Sequence, residues 1–83
     1  MHPSQASEFE WDDRNESELA RHGIVPDEAE QVFDNHPTWI PNKRNRPGDW
    51  KMVGQTNGGR SLTIIVRVTD YGYHLRAITG WDS

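Results

Sequence analysis

The sequence predicts an α+β fold: two short helices packed on one face of a three- to four-stranded antiparallel meander. Three observations carry this. Residues 12–36 hold a helix start, a helix stop and a second start. Residues beyond 49 alternate apolar and polar side chains between two tight-turn signals. The acidic and basic residues are sorted into different halves of the chain. With 83 residues and 33% hydrophobic content, one domain with a small core is expected.

Residues 1–8, Met-His-Pro-Ser-Gln-Ala-Ser-Glu, are polar and without period, and are expected to form a flexible tail, leaving 9–83 as the single domain. Phe9 and Trp11 alternate with Glu8 and Glu10, a short strand or extended anchor with two aromatic residues facing the core. Asp12 or Asp13 can cap the first helix by accepting hydrogen bonds from its free amides. That helix runs to Arg21–His22 and stops at Gly23, where a left-handed residue is tolerated. Pro26 suits the first position of the second helix, and Asp27, Glu28 and Glu30 sit near its positive end. Ile24 and Ala29 have the spacing of a hydrophobic staple. Ala29, Val32 and Phe33 form its buried stripe, and His36-Pro37 ends it.

Thr38-Trp39-Ile40 reads as an edge strand, because Pro37 and Pro41 forbid a central one. Asp49–Val53, Ser61–Val68 and Tyr73–Thr79 are the main strands. Asn57-Gly58-Gly59 and Asp70-Tyr71-Gly72 supply the turns between them, and connections this short make the strands antiparallel neighbours.

Strand residues alternate between faces. Trp50, Met52, Leu62, Ile64, Val66, Val68, Tyr73, Leu75 and Ala77 form an apolar set that should seat the helices. The opposite set contains Lys51, Arg67, His74 and Arg76. Residues 1–40 carry two basic and ten acidic side chains, and residues 41–83 carry seven basic and three acidic ones. The net charge of −4 therefore hides a basic second half. Lys51, Arg67, His74 and Arg76, beside a basic loop with Lys43, Arg44 and Arg46 and a hairpin with Arg60, make a phosphate-binding surface. Tyr71, Trp81 or Trp39 at its rim would stack on bases. The plainer alternative is a wet sheet face that carries Lys and Arg for solubility.

Metal-free RNA cleavage needs a base for the 2′-hydroxyl, cations for the charge on the phosphorane and an acid for the leaving oxygen. His74 titrates nearest neutrality when unperturbed, and Lys51, Arg67 and Arg76 supply charge. An ordinary surface histidine is the competing account of His74. The four histidines lack metal-site spacing, so neither a metal nor a cofactor is expected. No cysteine and no long apolar run are present, which points to a reducing cytoplasm and away from a membrane.

Phe9-Glu10-Trp11-Asp12, Ala20-Arg21-His22-Gly23-Ile24 and Glu28-Ala29-Glu30-Gln31-Val32-Phe33-Asp34 resemble the BrnT family of toxins. So do Trp50-Lys51-Met52-Val53-Gly54-Gln55-Thr56 and Gly59-Arg60-Ser61-Leu62, so that the likeness spans about residues 9–79. It implies a RelE-like fold and a ribonuclease toxin of a type II toxin–antitoxin pair, whose partners are a cognate antitoxin protein and an RNA substrate. It also implies basic catalytic groups on the exposed sheet face, carried over here to Lys51, Arg60 and Arg76. Members continue after the last strand in a Ser-Ala-Arg-Arg-like sequence, where this chain reads Thr79-Gly80-Trp81-Asp82-Ser83. The alternatives are a non-catalytic RNA- or antitoxin-binding module of the same fold and an interaction domain using the acidic helices. An exposed edge strand also leaves room for a homodimer.

Overall fold

A computed structural model describes residues 2–42, 49–69 and 73–83. Its elements are β1 (Glu8–Glu10), α1 (Asp13–Ala20), α2 (Pro26–Asp34), β2 (Thr38–Asn42), β3 (Asp49–Gln55), β4 (Ser61–Val68) and β5 (His74–Asp82). The fold is α+β, as the sequence indicates. The sheet itself corrects the expectation. It has five strands in the order β1-β5-β4-β3-β2, and it is mixed, because β1 lies parallel to β5. The alternation at 8–11 allows a short strand, but a parallel partner more than sixty positions away leaves no local turn signal to place it in the sheet.

The helix signals act as written. Asp12 is the N-cap of α1, its carboxylate accepting from the amides of Arg14 and Asn15, both at 3.0 Å. The Asn15 side chain answers by accepting from the Asp12 amide at 2.9 Å and donating to the Glu10 carbonyl at 2.8 Å. This buried residue thereby locks the β1–α1 corner. Past α1, Gly23 takes φ +71°. Pro26 opens α2, and Ile24 and Ala29 are both fully buried as the staple requires. Helix α2 docks close to β3. A Cβ at Gly54 would meet Val32 Cγ1 at 3.2 Å and Pro37 Cβ at 3.3 Å.

The alternation places the core. Met52, Leu62, Ile64, Val66, Leu75 and Ala77 are fully buried against Leu19, Ile24, Ala29 and Val32. Tyr73 departs from the apolar set. It precedes β5 at φ +61° and is 63% exposed. The alternation also fails beyond Ala77, because Val66 pairs with Ala77 while Ile65 pairs with Thr79, leaving Ile78 as an extra residue in a bulge. From there Gly80 faces inward, with only 3.1 Å between its would-be Cβ and the Thr63 carbonyl. Thr79 and Trp81 turn to the other face, opposite Ile65 and Thr63.

Residues 2–8, expected as a loose tail, have a defined seat. Pro3 is buried in a short 3-10 turn, and the His2 ring lies 4.9 Å from the ring of Trp50. The Ser7 amide bonds the Tyr73 carbonyl at 2.8 Å and leads directly into β1.

Candidate functional site on the open sheet face

Cross-strand register assembles the face away from the main core. Arg67 of β4 stands opposite Asp49 of β3 on one side and Arg76 of β5 on the other. One step along, Lys51 faces Ile65, which faces Thr79. Lys51 is thus a diagonal neighbour of Arg67, within about 7–8 Å backbone to backbone. Parallel pairing sets Glu8 beside His74 and Glu10 beside Arg76. The four residues assigned to catalysis, Lys51, Arg67, His74 and Arg76, therefore share one side of the sheet.

They are not all unoccupied. Arg67 forks onto Asp49 through Nε (2.8 Å) and Nη2 (3.1 Å), and Asp49 is only 4% exposed. Those bonds raise the Arg67 pKa and fix the guanidinium plane. Arg76 Nη2 donates to Asp12 Oδ2 at 2.5 Å. The amide of Asn15, followed by the Arg76 guanidinium, holds the Asp12 carboxyl below its ordinary range. The His74 ring lies between two carboxylates, Nδ1 at 3.0 Å from Glu10 and Nε2 at 3.3 Å from Glu8. Glu8 is the loosely held partner, with 68% of its side chain exposed. Lys51 has no hydrogen-bond or ion-pair partner among the described residues.

Arg60, assigned to the same surface, lies elsewhere. Arg60 sits at the opposite end of β4 from Arg67, about 20 Å away along the strand. It bonds Asp82 through Nε (2.8 Å) and Nη2 (3.2 Å), and Glu28 and the Gly23 carbonyl through Nη1 (3.1 and 2.9 Å). These bonds tie the α1–α2 turn, the first turn of α2 and the end of β5 together, which is a structural task. Lys43, Arg44 and Arg46, like Tyr71, lie outside the described residues. Trp39 stands on the core side against Phe33, whereas Trp81 is 39% exposed on the open face, where a base could stack.

A cavity of about 360 Å³ opens between α1 and the β4–β5 pair, lined by Arg14, Asn15, Glu18, Arg67, Arg76, Ala77 and Ile78. Sequence reasoning missed Arg14 here. Its only signal was being one of two basic residues in an acidic half, and its approach to the sheet depends on the β1–β5 pairing.

No protein-family model matches the chain, and no curated protein matches it. No helix among the described residues is long and apolar enough to cross a membrane.

Proposed function

We propose that the chain is a metal-independent endoribonuclease toxin of the BrnT-like, RelE-like kind, acting in the cytoplasm and restrained by a cognate antitoxin. The observation that supports this best is the register that brings Lys51, Arg67, His74 and Arg76 to one face. Cleavage of RNA by transesterification through its 2′-hydroxyl suits such a set. The 2′-oxygen loses its proton and attacks phosphorus, the bond to the 5′-oxygen breaks, and that oxygen takes up a proton. A cyclic phosphate and a free 5′-hydroxyl result. His74 is the proton carrier. Glu10 orients its ring through Nδ1, and Nε2 reaches substrate once the exposed Glu8 swings away. Arg67, held flat by Asp49, and Arg76 take the charge on the phosphorane, with Lys51 as a further point charge.

One observation favours the second reading, a module of the same fold that binds RNA or an antitoxin without cutting. Arg67, His74 and Arg76 each already carry a carboxylate of the same chain. The two readings separate with purified protein and single-stranded RNA in excess chelator. The nuclease reading expects fragments ending in cyclic phosphate, lost in His74→Ala and reduced at least tenfold in Lys51→Ala and Arg76→Ala, which corresponds to roughly 1.4 kcal/mol or more of transition-state stabilisation each. Intact RNA that is nevertheless bound selects the module. Neither binding nor cleavage of RNA, by folded protein, removes the nuclease reading and the RNA-binding form of the second, leaving antitoxin binding alone.

A further inference from the structure

Three arginines line the cavity between α1 and the sheet, and they differ in what holds them. Arg67 is forked onto Asp49 and Arg76 is bonded to Asp12. Arg14, in the first turn of α1, has no side-chain partner among the described residues, although its backbone amide is fixed by the Asp12 cap. The remaining polar walls are satisfied. Asn15 spends both ends of its amide on the β1–α1 corner. The Glu18 carboxylate accepts from Thr79 Oγ1 at 2.8 Å and from Arg21 at 3.1 Å, which lowers its pKa and balances its charge. Ala77 and Ile78 close the apolar side. The volume of about 360 Å³ is at the small end of ligand sites. Such a site suits a compact anion with several acceptor oxygens. An Arg left without an anion, beside an Arg whose present anion is a half-exposed Asp, is a cation pair with one place to fill.

We propose that this cavity is a phosphate subsite whose third cation is Arg14, with Asp12 as the chain's own competitor for Arg76. The inference rests on the RNA reading and deepens it: the ligand is the phosphodiester group of a single-stranded RNA, held by Arg14 and Arg76 while Asp49 keeps Arg67 in place. Asp12 has two tasks that one substitution separates. Asp12→Asn keeps an oxygen to cap α1 and removes the charge that occupies Arg76.

The test is binding of an uncleavable 2′-O-methyl RNA oligonucleotide to the full chain, followed by anisotropy over a salt series, with inorganic phosphate titrated separately. Arg14→Ala should weaken RNA binding about fivefold and reduce the salt slope by about 0.7, the loss of one phosphate contact to a single strand. Arg14→Lys should recover part of both. Asp12→Asn should tighten binding about two- to fivefold. Arg21→Ala, which removes the same charge at the C-cap of α1, outside the cavity, should have the smaller effect. Circular dichroism confirms that each variant is folded. The subsite is overturned if Arg14→Ala and Arg21→Ala behave alike, or if Asp12→Asn binds no better than wild type. Should Lys51→Ala and Arg76→Ala still abolish binding in that case, the RNA face itself survives. If the oligonucleotide fails to bind while inorganic phosphate binds in an Arg14-dependent way, the subsite stands and the RNA reading falls. If neither ligand binds, both fall.

Discussion

The two faces of the sheet follow the same alternation rule and obey it to different depths. On the covered face, apolar parity implies burial, and Leu62, Ile64, Val66, Leu75 and Ala77 all lose their solvent contact. Burial of a methyl group needs no particular partner, because the hydrophobic effect is non-directional. On the open face, parity places Lys51, Arg67, His74 and Arg76 on the correct side but is silent about what they touch. An ion pair is a matter of two particular groups meeting, and here the carboxylates come from Glu8, Glu10, Asp12 and Asp49. Three of those four sit at the other end of the chain. Side is a local property of a strand, and partnership is a property of the fold.

The sharpest contrast between the faces is in packing. Leu19→Ala, at a fully buried core position, should cost about 3 kcal/mol and lower the Tm by more than 10 °C. Ile40→Ala, at a 44% exposed position on the open face, should cost under about 0.5 kcal/mol by the same thermal melt. Equal losses at both sites would mean that the open face is covered too.

Next in size is the Arg67–Asp49 pair, which links the open face to a buried carboxylate. Arg67→Ala strands a carboxylate that is 4% exposed and should cost about 2 kcal/mol in urea unfolding, a value reduced because Arg67 itself is about one-third exposed. The double change Asp49→Leu with Arg67→Met should restore most of it, since no buried charge is then left alone. A double variant as unstable as the single one would show that shape, and not charge, sets the cost.

The smallest effect is in acid. Asp12, Asp82 and Glu18 have carboxyl pKa values lowered in the folded chain, by the Asn15 amide and Arg76, by Arg60, and by Thr79 respectively. The folded state therefore binds fewer protons than the unfolded one near pH 4. Its stability from these groups is complete above the ordinary values of 3.8 for Asp and 4.5 for Glu and declines as pH falls through the lowered ones. Asp12→Asn should make the acid limb of a Tm-against-pH profile shallower. An unchanged limb would remove Asp12 from the account.

The sequence made the helices and the covered face legible because caps, staple and apolar period are encoded within a few residues. Asp12, Gly23, Pro26, Ile24 and Ala29 each act where their chemistry suggests. What escaped was non-local. The β1–β5 pairing turned carboxylates of the acidic N-terminal stretch into the partners of His74 and Arg76. The bulge at Ile78 reversed the faces of Thr79, Gly80 and Trp81, and no residue type announces a bulge there. Arg60, placed with the binding residues because it lies on the hairpin, became a clamp through Glu28 and Asp82, which lie 32 and 22 positions away.

Whether the cations of β3, β4 and β5 act as one phosphate-binding surface is most directly measured by the salt dependence of RNA affinity. With Lys51, Arg67 and Arg76 each meeting the backbone, log K against log salt should fall with a slope of about −2. Lys51→Ala and Arg76→Ala should each remove about 0.7 from it. A slope near zero, or one that these substitutions leave unchanged, would contradict the account.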